Sequence, residues 1–366
     1  MRKLAAVLSL LALGAGAAAA QGLWHPEIGL QGGYVRIKPS GTGQADHVDF
    51  IDVPGGVFLA GAVTYGAYFG IVPIGNKLAI EPSLNLSQIT TPGGSFTTAR
   101  LGARANYAFN AHLYGALGGT MGYAEGSGSG DTQFGIQAAV GYRTVLSGTL
   151  NGRVEAQYAN AAKSDQFEPV NAYGLLLGVS ARLDGPAPAP GGTAAAGAWR
   201  PVIGIQGGYS RTHVVGGGAD VASWSLPALG GNLLTGAGVP LLGPSTLFAI
   251  FPIGRKFALE PGLDVHRAQS GGQTIASVNV SARVNYAVVG GMYAGAAFNL
   301  SHIHVTGLDT GTLGGATLAG GYRFPLAGAF GGRTELSYTM MEADPGLGIP
   351  AQNVLGVLFG VTMALK

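Results

Sequence analysis

Ten arginine and glutamate residues draw attention first, because they recur at matching places in the two halves of the chain. Glu81, Arg104, Arg143, Arg153 and Glu155 are answered by Glu260, Arg283, Arg323, Arg333 and Glu335. Gln31 and Gln206 accompany them. A carboxylate withdrawn from water needs a partner, and the planar fork of arginine supplies one. Three uses are open to such a set: a structural ion-pair plug in a narrow lumen, the lining of a water-filled pore, or acid–base chemistry. The plug is the plainest of the three, since every acid has a base in the same repeat.

The other reactive side chains are less ordered. The seven histidines do not repeat between the halves. His302 and His304 stand one strand period apart beside Ser301, and His266 follows Asp264. A lipid hydrolase would need a base beside a nucleophile, but water-facing histidines at a membrane interface account for the same residues. Asp46, Asp49 and Asp52 lack a recognised calcium-loop spacing. No glycine-rich stretch follows a strand and opens a helix, as a phosphate loop would. The absence of cysteine excludes thiolate metal sites and disulfides. No enzymatic activity, cofactor or metal is expected.

What must position the charged set is set by composition. Charged residues are 10% of 366, far below the ~25% of ordinary soluble domains. Gly numbers 65 and mean hydropathy is +0.31. Net charge is +2, without a long Lys/Arg run, so nucleic acid is not an expected partner. Arg2 and Lys3, an apolar run from Leu4 to Gly16, and small residues up to Ala20 read as an export signal, cleaved after Ala20.

The apolar stretches are no helical spans. Residues 53–75 and 222–254 are broken by Gly and Pro, where a membrane helix needs about 20 compatible residues. The remaining way to cross lipid is a closed β-barrel. Its signature is alternation with period two. In 99–107, Ala99, Leu101, Ala103, Ala105 and Tyr107 share one face, and Arg100, Gly102, Arg104 and Asn106 the other. Leu355, Val357, Phe359, Val361, Met363 and Leu365 form one apolar stripe.

The whole pattern is written twice. "WHPEIGLQGGYVR" (24–36) returns as "WRPVIGIQGGYSR" (199–211), and "PIGNKLAIEPSLNL" (73–86) as "PIGRKFALEPGLDV" (252–265). The chain then divides into a signal peptide (1–20), a first repeat (21–183), a Pro/Ala/Gly linker (184–198) and a second repeat (199–366). Eight strands are predicted in each repeat, the second of each, 57–72 and 245–251, having the poorest alternation. Pro82 and Pro261 fall inside strands and predict bulges. An even count returns each repeat to the side it started from, expected to be the periplasm. The opposite side carries long first loops, 38–56 and 213–244.

Aromatic residues should gather at the two water–lipid boundaries. Trp24, Phe69, Tyr107 and Tyr142, with Trp199, Phe248, Tyr286 and Tyr322, fall at one set of strand ends. Tyr34 and Tyr158, with Tyr209 and Tyr338, fall at the other. On "FPIGRKFALEPGLDV" and the Gly-Tyr-Arg strand ends (141–143, 321–323), each repeat resembles the small eight-stranded outer-membrane barrels of the OmpA/OmpX-like kind. That resemblance implies an all-β transmembrane up-and-down barrel in the outer membrane, with lipid and the barrel-assembly machinery as partners. Such barrels usually end in an aromatic residue, whereas this sequence ends Leu365-Lys366. Sixteen strands can close as two narrow barrels or as one wide porin-like channel. The long linker and the Gly/Ala-rich inner faces favour two. The expected role is non-enzymatic, either envelope structure or contact with a surface ligand or protein. Loop 213–244, with Trp224, Leu226, Leu229, Leu233 and Leu234, offers an apolar site for the latter.

Overall fold

A computed structural model describes residues 22–39, 47–50, 68–126, 129–147, 150–165, 167–184, 199–216, 220–225, 247–270, 273–307, 310–325 and 330–365. The expected signal segment with Ala20, most of the linker, Asp46, Asp52, and Leu226, Leu229, Leu233 and Leu234 lie outside these residues.

The first repeat forms β1 (Glu27–Pro39), β2 (His47–Phe50), β3 (Tyr68–Pro73), β4 (Leu78–Thr91), β5 (Gly94–Ala108), β6 (Leu113–Gly126), β7 (Ser129–Ser147), β8 (Leu150–Ala161) and β9 (Val170–Arg182). The second forms β10 (Val202–Val214), β11 (Val221–Ser225), β12 (Leu247–Pro252), β13 (Phe257–Ser270), β14 (Gln273–Ala287), β15 (Met292–Val305), β16 (Gly311–Pro325), β17 (Phe330–Met341) and β18 (Gln352–Ala364). All the pairing is antiparallel. β1 joins β3, β3 joins β4, the order then runs consecutively to β9, and β9 returns to β1. The second repeat repeats the circuit through β10, β12, and β13 to β18. The result is two closed eight-stranded barrels, an all-β transmembrane-type fold. The long strands have 12 to 19 residues, enough for the ~9–11 that a tilted strand needs to cross.

The faces are inside out relative to a soluble sandwich. On β8, Val154 is 44% exposed, while its neighbour Glu155 is fully buried. Leu117, Phe134, Ile136, Leu177, Leu318 and Leu336 stand on the outer surface, and Gln133, Gln137, Asn279 and Thr317 are enclosed. A sheet packed on another sheet would reverse this assignment. Lipid is the solvent that suits an apolar exterior around a polar interior.

Two expectations need correction. Of the strand predicted over 57–72, Tyr68–Pro73 is a strand and 57–67 lie outside the described residues, but short strands sit inside both supposed loops, at His47–Phe50 and Val221–Ser225. The second outer connection of the first repeat is a tight turn at Pro92–Gly93, because β4 and β5 extend until they nearly meet. Pro82 and Pro261 cause no bulge. The β3–β4 register stays in phase but pairing lapses between Phe69↔Ser83 and Val72↔Ile80, opposite Pro82. The lapse between Phe248↔Gly262 and Phe251↔Leu259 is its copy. Proline has lost the donor that this ladder would use.

At the end away from the chain termini the pairing changes partners. β1 leaves β3 after Leu30 and takes up β2 from Tyr34 to Ile37. The far edge of β2 pairs with β13 of the other repeat, through Arg267 to Ser270. Reciprocally, β10 takes up β11, whose far edge pairs with β4 through Ser87 to Thr90. The fork falls at Gln31-Gly32-Gly33 and Gln206-Gly207-Gly208. Gly208 has φ 149°, and a Cβ there would meet the Val357 carbonyl oxygen at 2.2 Å, so this position requires glycine.

Candidate functional site: a charged floor in each barrel

Strand alternation points two Glu and two Arg inward from three of the strands. In the first barrel these are Glu81 on β4, Arg104 on β5, and Arg153 and Glu155 on β8; register already sets Glu81 opposite Arg104. Arg104 forks onto Glu155, with Nη1 to Oε1 at 2.7 Å and Nη2 to Oε2 at 2.5 Å, and its Nη2 also lies 2.8 Å from Glu81 Oε1. Arg153 donates to both Glu81 oxygens, at 2.8 and 3.0 Å, and to the Gln31 amide oxygen. Tyr114 donates to Glu155 at 2.6 Å and Asn106 to Glu81 at 2.7 Å.

The second barrel repeats the arrangement. Arg283 donates to Glu335 Oε1 at 2.7 Å and to Glu260. Arg333 reaches the two Glu260 oxygens at 3.0 and 2.9 Å, Glu335 at 3.5 Å, and the Gln206 amide oxygen. Tyr293 donates to Glu335 at 2.6 Å and Asn285 to Glu260 at 2.8 Å. All eight charged side chains are buried. Two positive and two negative charges per layer cancel, and both oxygens of every carboxylate accept bonds. That arrangement offsets the large cost of taking such ions out of water. Glycine makes room for it: a Cβ on Gly178 or Gly360 would meet the Cγ of Arg153 or Arg333 at 2.8 or 2.9 Å.

A second layer closes the terminal end. The Trp24 indole donates to the Lys77 carbonyl at 3.0 Å, and the Trp199 indole to Lys256 at 3.0 Å. The Arg143 guanidinium lies 4.3 Å from the Trp24 ring, and Arg323 lies 3.7 Å from Trp199. Arg153 and Arg333 stack over Phe69 and Phe248 at 3.5 and 3.7 Å. Such cation–π contacts gain strength when desolvated.

Here the sequence expectation fails for four residues. Trp24, Phe69, Trp199 and Phe248 are buried within the lumens, at 1%, 2%, 5% and 3% exposure, and are no part of a lipid-facing girdle. They pack with Tyr114 or Tyr293 under the charged layer. Tyr34, Tyr107, Tyr142, Tyr158, Tyr209, Tyr286, Tyr322 and Tyr338 stand on the outer surface. Arg143 and Arg323 belong to the terminal layer rather than to the charged quartet. Tyr114, Tyr293 and Asn285 went unnoticed in the sequence, and Asn106 was placed only on the face of Arg104, although each pair is repeated at the spacing of Arg104 and Arg283. Glu27 was also missed. It accepts from Asn151 at 2.9 Å and Ser180 at 2.5 Å, and lies 3.7 Å from Arg143.

The floors differ at this one point. Val202 and Gly331 stand where the first barrel has Glu27 and Asn151, so Arg323 has no carboxylate within ion-pair distance among the described residues. His302 and His304 do not converge with Ser301. Ser301 points inward and is buried, whereas His302 and His304 point outward and bond Thr312 and Thr310 at 2.9 and 3.0 Å. The side chains of His266 and Asp49 are outside what the structure describes. Among the described residues no group of His, Asp and Glu could hold a metal.

No family model matches the chain, and no curated protein matches it. Among solved structures, Neisserial surface protein A is similar at 15% identity and a TM-score of 0.29, over 43% of this chain and 96% of that one. An outer membrane channel from Pseudomonas putida F1 is similar at 10% identity and a TM-score of 0.25, over 95% and 97%. The β domain of the Bordetella autotransporter BrkA is similar at 9% identity and a TM-score of 0.26, over 93% and 100%. The class defined by fold and faces is the outer-membrane-type β-barrel, here as two closed eight-stranded barrels in one chain. A bilayer is the surrounding that its apolar outer face fits.

Proposed function

We propose that the protein is an integral outer-membrane barrel with two sealed lumens, acting in envelope structure or surface contact rather than in catalysis or diffusion. The observation that carries this reading is the charged floor. Four ion-paired side chains cross each narrow lumen, both oxygens of each carboxylate accepting bonds, and an indole–guanidinium layer lies below them. An ion would have to break these pairs to pass. The finer likeness to OmpA/OmpX-like barrels, drawn from the Gly-Tyr-Arg strand ends, agrees with this reading. So does the placing of the distal end outward, where a ligand or partner protein would meet it. Purified protein in planar bilayers should show no steady conductance; stable steps from the unmodified protein would overturn the reading.

A passive channel is the second reading. One observation favours it: at the distal end the strands of both repeats pair around a common ring. A channel would need both floors to open, and a conductance that rises when Arg104 and Arg283 are replaced would support it.

A further inference from the structure

Among the described residues, each repeat leaves an edge that its own strands do not cover. β4 has 14 residues, but β3 pairs only as far along it as Leu84. β13 also has 14, and β12 covers it only as far as Leu263. The distal parts of β4 and β13 would then be bare backbone edges, open to pairing with another strand. Their covers come from the opposite repeat, with β11 on β4 and β2 on β13.

The exchange occurs twice in equivalent register. Phe50 on β2 lies between Tyr34 and Arg267. Trp224 on β11 lies between Tyr209 and Gln88. Tyr34 and Tyr209 are the same position of the repeat, as are Gln88 and Arg267. Yet the exchanged segments, "HVDF" and "VASWS", share no pattern that would force one to copy the other. Two unlike segments thus make one pseudo-symmetric crossing. Above it the wall reads β1, β2, β13 to β18, β10, β11, β4 to β9, and back to β1.

We propose that the two repeats are one strand-exchanged body: two separate eight-stranded legs below the Gln-Gly-Gly forks, and a single sixteen-stranded rim above them. The interaction surface of each repeat is the distal edge of its fourth-strand wall, β4 or β13, and its partner is the other repeat of the same chain. A molecule approaching the distal end meets one mouth, framed by both repeats. The inference is independent of whether the floors are sealed or gated, since it concerns only who pairs with whom above them.

The test uses the natural absence of cysteine. Directly opposed residues of antiparallel strands lie at about 4.5–5.5 Å between Cα atoms, within disulfide range. Four double variants of the full chain, each with a protease site in the 184–198 linker, separate the alternatives. Phe50→Cys/Arg267→Cys and Gln88→Cys/Trp224→Cys report exchange, while Phe50→Cys/Gln88→Cys and Trp224→Cys/Arg267→Cys report closure of each repeat on itself. After oxidation in vesicles, linker cleavage and denaturation without reductant, the exchange pairs should migrate at full-chain mass and fall to halves on reduction. The self-closure pairs should give halves throughout, with both thiols still open to maleimide labelling after denaturation. Failure of both exchange pairs to link, linkage of either self-closure pair between its own strands, or a species of twice the chain mass each overturns the proposal. A chain with no cysteine, cut at the linker, gives a second measurement: its halves should co-elute in mild detergent, and their separation would equally overturn the exchange.

Discussion

Arg283→Ala tests the charged floor most directly. Arg283 holds Glu335 at 2.7 Å and also donates to Glu260, and it is enclosed by the barrel. Its removal leaves Arg333 alone with two buried carboxylates. Glu260 keeps Arg333 and Asn285, but Glu335 keeps only Tyr293 at 2.6 Å and Arg333 at 3.5 Å. An uncompensated buried charge of this kind costs about 3–5 kcal/mol, far above the 0–1 kcal/mol of a surface pair. The loss should appear as a lower urea midpoint for protein refolded in lipid vesicles. Fluorescence of Trp199, whose ring lies 5.7 Å from that of Tyr293, provides a local signal. Arg104→Ala should cost a similar amount in the first barrel, where Arg104 has the same partners. Conductance should stay absent in both. A loss below ~1 kcal/mol together with stable current steps would refute the bracing role and make the layer a gate.

Other perturbations address separate parts of the fold. Gly208→Ala should cost about 1–3 kcal/mol in the same urea assay, because the added methyl meets the Val357 oxygen at 2.2 Å. A neutral result would mean that the fork relaxes. Leu336→Arg, on the outer face, should cost about 2–4 kcal/mol in vesicles if it lies near the bilayer midplane; no cost there would deny lipid contact. The Asp220 carboxyl is held below its ordinary 3.8 by hydrogen bonds from His213 and Arg211. The folded value is therefore the depressed one. The contact's contribution is present above the ordinary value and is lost as pH falls through the folded value. Carboxyl carbon NMR of Asp220 should show a midpoint below that of Asp220 in the unfolded chain, and His213→Ala should raise it.

The alternation of Arg and Ala on β5, and the apolar stripe from Leu355 to Leu365 along β18, made the barrel wall legible in the sequence. The duplicated Arg and Glu positions made the charged layer legible as well. Period two assigns a residue to a face only where alternation is regular. It fails for β3 and β12, so Phe69 and Phe248 were placed outside, although each forms the bed of a buried guanidinium. Trp24 and Trp199 precede their strands, and no periodicity governs them. The Tyr114 and Tyr293 hydroxyls were hidden by expectation, because tyrosine in such a barrel suggests a boundary ring before it suggests a lumen hydrogen bond. Partner choice at the distal end is a different kind of omission. Alternation says which way Trp224 points, but nothing in it says whether β11 lies beside β4 or β13.

The reciprocal crossing also constrains biogenesis. β2 and β4 are synthesised before either strand that completes their edges, since β11 and β13 follow only after the linker has been made. The first repeat therefore cannot finish its wall by the time its own last strand has emerged. On the proposed exchange, a chain cut off at the linker would therefore leave the distal edge of β4 without the strand that pairs with it.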